Sequence, residues 1–206
     1  MLPFAPSQLP PELQDPRVLA AMEAVPRERF VPEDVRHLAS RDEALPIGGG
    51  QTISQPYLVA YMTAALRPEP GQRVLEVGTG SGYQTAVLAR LGLEVYSVEV
   101  LPEFSLRAKA VLEALGLAER VHFRIGDGRH GWPIAAPFDA LLCAAAAPSV
   151  PPAFLEQVRV GGRLVLPIGP SESQDLLILE RTPTGVMRRG GIKVRFVPLV
   201  RGEPSA

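Results

Sequence analysis

The sequence predicts an α/β fold: a doubly wound, mostly parallel sheet of seven strands, with a helical N-terminal segment and an antiparallel C-terminal strand pair. Three observations predict it. From Arg73 onward, short apolar runs alternate with helix-length segments. The links between them are short, as parallel strands with helices on both faces require. The last two runs, 175–182 and 191–200, have no helix-length segment between them, so they should pair as a ribbon at the sheet edge.

Taken in order, residues 16–30 come first. Val18, Leu19, Met22 and Val25 suit one face of a short helix, with Pro16 in its first turn and Pro26 at its end. Residues 33–39 suit a further turn or two. The stretch 45–56, LPIGGGQTISQP, reads as an ordered but irregular loop because three glycines stand between two prolines. Pro56 opens a helix over 57–66. Strands follow at 73–77, 94–100, 121–127, 138–145 and 162–169, with helices at 83–91, 102–115 and 151–158. Gly92 and Gly116 stop the first two of these helices. The final turn is expected between Pro183 and Gly190, and Pro198 marks an edge or a strand end.

Composition excludes more than it identifies. The chain of 206 residues is 46% hydrophobic and 21% charged, ordinary for a globule with a sizeable core. A formal net charge of -1 gives no overall field toward nucleic acid or anionic lipid. The start is proline-broken and lacks the pattern of a signal peptide, and no run of eighteen apolar residues occurs. A cytoplasmic protein is the expectation. Cys143 is alone and lies in an apolar run, the setting of a buried small hydrophobe. Asparagine is absent, 22 prolines are present, and Lys109 and Lys193 are the only lysines. Heat adaptation and GC-rich coding both account for that bias.

The informative segment is GTGSG at 78–82, after the first strand of the alternating region. Ligands of open α/β sheets bind beyond the carboxyl ends of the strands. Gly78, Gly80 and Gly82 allow tight turning and close approach of a ligand; a plain strand-to-helix turn is the alternative. The dinucleotide pattern needs a sixth-position glycine, and Tyr83 stands there. The nearby Glu76 disfavours a pyrophosphate and favours a ligand carrying positive charge, as a sulfonium amino acid does. Glu99 ends the second strand, placed to accept ribose hydroxyls, a feature shared with nicotinamide enzymes; an ordinary surface glutamate is the alternative. Asp127, in the GDG of 126–128, could meet an adenine amino group, and Gly128 keeps that loop tight; a simple Asp-Gly turn is the rival. His37, His122 and His130 have no zinc-ligand spacing, so no metal is expected.

These segments carry a resemblance. VPRERFVP at 25–32, LPIGGGQTISQPYLVAYM at 45–62, VLEVGTGSGYQTAVLA at 74–89, GDGRHGW at 126–132, PFDALLCAAAAPSVP at 137–151, GGRLVLPIG at 161–169 and VRFVPLV at 194–200 resemble the protein-L-isoaspartate O-methyltransferases. These are class I methyltransferases with a Rossmann-like fold. The glycine loop and Glu99 are shared by many of that class; QTISQP and RFVPLV are far more specific.

The resemblance implies S-adenosyl-L-methionine as cofactor and S-adenosyl-L-homocysteine as product. It implies methylation of the free α-carboxylate of L-isoaspartyl residues in damaged proteins and peptides, which starts repair through a succinimide. It implies Ser54 as the catalytic residue. Glu76, Gly78, Thr79, Gly80, Ser81, Gly82, Glu99, Asp127 and Gly128 fall on cofactor positions. Thr52, Ile53, Ser54, Val194, Arg195, Phe196 and Val197 border the peptide site, and the final strands depart from the usual class I order. The chain departs from the family pattern at Val100, Phe104, Ser105 and Ala144, around the adenosine pocket. One catalytic domain over 1–206 is expected, with a helical segment and active-site loop (1–70), a cofactor-binding core (71–170) and strands bordering the substrate site (171–206). A monomer and no nucleic-acid partner complete the expectation.

A carboxylate with a pKa of about 3.5 to 4 is already ionised at neutral pH, so methylating it needs no strong base. Ser54 then has only to steer an oxygen. No G-x-S-x-G elbow surrounds it, which argues against covalent catalysis. The rivals fit less well. Another class I methyltransferase, acting on a different carboxylate, a small molecule or RNA, has no reason to carry QTISQP. A nicotinamide oxidoreductase would want the missing glycine. A non-catalytic module has no need of Ser54.

Overall fold

A computed structural model describes residues 1–202 of the chain. Residues 203–206, the last four of the expected C-terminal part, lie outside the described residues. Helix α1 (Pro16–Ala24) is capped by Asp15, whose side chain accepts the Arg17 N–H at 2.8 Å. Short 3₁₀ turns follow, Arg27–Phe30 and Glu33–Leu38. Strands β1 (Leu45–Gly48) and β2 (Gln51–Ile53) form a small antiparallel hairpin, and α2 (Pro56–Ala65) follows. The main run is β3 (Arg73–Val77), α3 (Tyr83–Arg90), β4 (Glu94–Glu99), α4 (Pro102–Ala114), β5 (Val121–Ile125), β6 (Phe138–Cys143), α5 (Pro152–Gln157) and β7 (Val158–Ile168). Strands β8 (Gln174–Thr182) and β9 (Gly185–Val194) end it.

The large sheet has seven strands in the order β5-β4-β3-β6-β7-β8-β9. β5 through β7 pair in parallel; β7–β8 and β8–β9 pair antiparallel. The alternating pattern and the terminal ribbon are both borne out. The final strands sit in sequence order, β7-β8-β9. On β3 and β7, neighbouring residues point to opposite faces: Val74 and Val165 join one buried cluster, Leu75 and Leu164 the other. Helices on each face cover both clusters, the condition for a largely parallel sheet.

Two local expectations are corrected. Residues 45–53 form a hairpin rather than an irregular loop. Its turn places Gly48, Gly49 and Gly50 at φ of +92°, +57° and +71°, conformations open to glycine at little cost. The second ribbon strand is 185–194, not 191–200, and its turn is the short Pro183–Thr184 link. Gly190 and Gly191 stay within the strand, which absorbs them by a register shift opposite Ile178 and Leu179. Residues 195–200 leave the sheet, and Pro198 makes only an isolated bridge to Ala146. Pro198 has no N–H to give to a ladder.

Two positions on this frame set up the site. Gly82 sits at φ +85°, where α3 starts against α4, and a Cβ there would lie 2.7 Å from the Ala108 Cβ. Glu76 on β3 is fully buried under α3. Its Oε2 accepts the hydroxyls of Thr85 on α3 and Ser97 on β4, each at 2.6 Å. Its Oε1 has no partner among the described residues. Burial raises the Glu76 pKa to about 7.

Gly82→Ala should lower stability by about 1–3 kcal/mol, through overpacking and a left-handed non-glycine residue; urea melts compared with wild type check it. Glu76 has a pKa of 4.5 when unperturbed and about 7 in the fold. An acid with a raised folded pKa binds more protons folded than unfolded, so its contribution weakens stability as pH climbs between those values. Glu76→Gln should therefore gain on wild type as pH rises from 4.5 to 7, by up to about 3 kcal/mol. Melts of both proteins at pH 5 and pH 8 measure the difference, and equal pH dependences contradict it.

Candidate active site

The site is built where β3 ends. Gly78 follows Val77 at φ +92° and donates its N–H to Val98 O at 2.9 Å. The chain turns through Thr79, Gly80 and Ser81 into α3. The Thr79 hydroxyl pairs with that of Ser97 at 2.6 Å, and Ser81 Oγ accepts the Tyr83 N–H at 3.2 Å. Glu99, 7% exposed, ends β4 beside this loop. Its Oε2 accepts the Gly80 N–H at 2.8 Å, and its Oε1 accepts those of Val100 and Leu101 at 2.9 and 3.1 Å. One carboxylate thus holds the glycine loop to the start of the next connection. Three backbone donors orient it.

The hairpin brings Ser54 to the same place. Ser54 follows β2, just before α2. On the far side of the serine, Asp42 Oδ1 accepts the Tyr57 N–H at 2.8 Å and Oδ2 accepts from Gln55 Nε2 at 2.9 Å. Asp42 therefore caps α2 from a distant turn, a task for which the sequence offers no adjacent residue. Ile53 is buried, Ser54 half-buried and Thr52 exposed.

The third wall is the segment after β9. Ala146 donates to Val197 O at 2.8 Å, and Leu199 donates to Ala146 O at 2.7 Å. Phe196 N–H donates to Gln174 Oε1 at 2.8 Å. The segment is stitched across the carboxyl end of β6 by these bonds.

Two connected openings result. A crevice is lined by Thr52, Ile53, Ser54, Gly78, Thr79, Gly80, Ser81, Glu99, Gly128 and Val197, together with Tyr83, Gln84, Val100, Leu101 and Ala144. A groove beside it is lined by Thr52, Ser54, Val194, Arg195, Phe196 and Val197, with Gln55, Tyr57, Lys193 and Ala144. Thr52, Ser54, Ala144 and Val197 belong to both. Ser54 therefore stands where the two openings meet.

Three expected residues do not line the crevice: Glu76, Gly82 and Asp127. The sequence reading set the Glu76 charge beside the ligand; the structure turns it inward, onto Thr85 and Ser97. Gly82 serves packing. Asp127 takes the Arg129 backbone N–H on Oδ1 at 2.9 Å, and its Oδ2 meets the Arg129 guanidinium. That hydrogen bonding holds its pKa at about 2. Gly128 is needed for a close approach, since a Cβ there would lie 2.5 Å from Val77 Cγ1.

Of the departures from the family pattern, Val100 and Ala144 line the crevice, whereas Phe104 and Ser105 are buried in α4, 3% exposed each. Phe104 packs under the hairpin turn, its ring 3.1 Å from where a Gly49 Cβ would stand. Sequence reasoning missed Tyr83 and Gln84 as lining residues. Their place in the first helical turn after the glycine loop was the available signal. Burial raises the Tyr83 phenol to about 12. Among the described residues, no group of three or more His, Cys, Asp or Glu side chains is placed to hold a metal ion.

Known proteins resemble this chain in sequence and fold. The family model for protein-L-isoaspartate(D-aspartate) O-methyltransferase matches residues 11–204. A protein-L-isoaspartate O-methyltransferase of Opitutus terrae is 54% identical over 200 residues, covering 94% of this chain and 83% of that protein. One from Anaeromyxobacter dehalogenans strain 2CP-1 is 56% identical over 196 residues, covering 94% and 93%. Among solved structures, a protein-L-isoaspartate O-methyltransferase superposes with a TM-score of 0.82 at 29% identity, over 89% of this chain and 61% of that one. A structure from Plasmodium falciparum, described as a complex with S-adenosyl-L-homocysteine, shares the fold with a TM-score of 0.78 at 22% identity, over 91% and 92%. With the family model matched over nearly the whole chain and relatives 54% and 56% identical along it, this chain belongs to the protein-L-isoaspartate(D-aspartate) O-methyltransferase family.

Proposed function

We propose that Ser54 orients the carboxylate of an L-isoaspartyl residue toward a methyl donor, S-adenosyl-L-methionine, held in the glycine-loop crevice. The reaction is the family's own: methyl transfer from that donor to isoaspartyl residues of damaged proteins. The observation that carries the residue assignment is the position of Ser54 on the boundary shared by crevice and groove.

The crevice fits the donor. A loop of glycines admits close backbone approach, and Glu99 sits at its side with a fixed carboxylate suited to ribose hydroxyls. Val100 and Leu101 offer apolar surface beyond it for a base. Gly78, Thr79, Gly80 and Ser81 bound the methionine side in this reading. Glu76 and Gly82 act from behind, by fixing the loop. Gly128 closes the adenine end, with Asp127 behind it held by Arg129. When bound, the donor supplies an electrophilic methyl carbon on a positively charged sulfur.

The rest falls to the protein. The substrate carboxylate arrives ionised, so Ser54 donates a hydrogen bond and removes no proton. Its work is alignment, holding the attacking oxygen within roughly 3 Å of the methyl carbon and in line with the departing sulfur. Thr52, Ile53 and Val194 to Val197 form the walls along which an extended peptide would lie. Backbone hydrogen bonding there suits an enzyme that must tolerate many neighbouring side chains. The parts act as one catalytic domain in this reading, built from residues 1–70, 71–170 and 171–206. No helix of the described residues is long and apolar enough to cross a membrane. A cytoplasmic monomer completes the proposal, and the net charge of -1 gives no overall attraction to nucleic acid or anionic lipid.

Methyl transfer from labelled donor should occur with an L-isoaspartyl peptide and be at least about a hundredfold weaker with the matched L-aspartyl peptide, the scale set by a displaced reacting group. Equal labelling of both would remove the substrate assignment. Ser54→Ala should lower kcat by about ten- to a hundredfold, while calorimetric affinity for S-adenosylhomocysteine stays within about twofold, since Ser54 lies at the rim. Unchanged turnover would mean that another group steers the oxygen.

A further inference from the structure

Arg27 is a buried cation with an unusual set of partners. It opens the 3₁₀ turn Arg27–Phe30 and is 6% exposed. Its Nη1 donates to Ala39 O at 2.9 Å and to Arg41 O at 3.3 Å. Its Nη2 donates to Glu43 O at 2.9 Å and to Ser54 O at 3.0 Å. The Nε finds no acceptor, and no carboxylate lies within ion-pair distance, among the described residues. Asp42 and Glu43 act on it only through the field, and burial lowers its pKa. The Asp42 oxygens are engaged with Tyr57 and Gln55.

An unpaired buried guanidinium is expensive, and four neutral carbonyls return only part of the lost hydration. A geometric reason accounts for keeping it. The planar fork gathers carbonyls from the 39–43 loop and from Ser54 at once. The compact ammonium of lysine cannot span that set. Arg27 thus holds Ser54 at its own carbonyl, and Asp42 holds the chain just beyond it through Gln55 and Tyr57.

We propose that Arg27 is a positioning residue for methyl transfer, fixing the Ser54 carbonyl so that the Ser54 hydroxyl meets the substrate carboxylate at the right angle. This rests on the reading of Ser54 given above. Arg27 lines neither the crevice nor the groove, so it acts through the serine and touches neither substrate nor donor.

A double-mutant cycle tests it: wild type, Arg27→Lys, Ser54→Ala and the pair, each assayed for kcat and KM with an L-isoaspartyl peptide, and for S-adenosylhomocysteine affinity by calorimetry. Arg27→Lys should lower kcat by about ten- to a hundredfold, with KM and S-adenosylhomocysteine affinity within about threefold. In the Ser54→Ala background the same change should have almost no further effect on kcat, because the group it aims is gone. Additive losses, or wild-type kcat in Arg27→Lys, overturn the role of Arg27 while leaving Ser54 in place. A Ser54→Ala protein with normal kcat overturns the underlying reading instead. Arg27→Gln, which removes the buried charge, is the second variant, and the expected result is the same kcat-selective loss. Failure of both Arg27 variants to fold overturns the proposal, since the residue would then be structural alone.

Discussion

β3 pairs in parallel with β4 on one side and β6 on the other. The chain leaves β3 through α3 toward β4 and later returns on the opposite side, so the connections diverge at the carboxyl end of β3. The backbone there must turn sharply without side chains in the way, and glycine at positive φ supplies the turn. Glu99 then ties that turn to the end of β4 by accepting from Gly80, Val100 and Leu101. Every other wall is laid against this seam: the hairpin with Ser54 on one side, the segment stitched to Ala146 on the other.

Much of this was legible in the sequence, for physical reasons that differ by region. The core strands are short, apolar and separated by helix-length runs, so periodicity and punctuation name them. Gly92 and Gly116 mark helix ends because both adopt positive φ. The hairpin was less legible. In LPIGGGQTI the alternation of a half-buried strand spans only Leu45 and Ile47, too short beside three glycines and a proline to be read as a strand, and the turn packs on Phe104, far along the chain. The boundary near 185–194 was hidden for a related reason. Gly185, Gly190 and Gly191 read as breakers, yet pairing with β8 carries the strand through them.

The site residues divide in the same way. Residue type and spacing marked the glycine loop and Glu99, because those positions depend on local backbone and strand ends, whereas Ser54 was marked only by the family resemblance. They could not report the direction of a side chain. Glu76 and Asp127 are acidic at the expected places, but Thr85 and Ser97 both take one oxygen of Glu76, and Arg129 takes both oxygens of Asp127. Those partners lie on other elements or in a following turn. Arg27 was the least visible, since its four acceptors are main-chain carbonyls and leave no side-chain pattern to read.

The segment after β9 has a practical corollary. It crosses the carboxyl end of β6, and Gly202 approaches Asp127 so closely that a Cβ on Gly202 would lie 3.1 Å from the Asp127 nitrogen. A side chain at position 202 would therefore press on the backbone of Asp127, next to the Gly128 that lines the crevice, so the chain tolerates little bulk there.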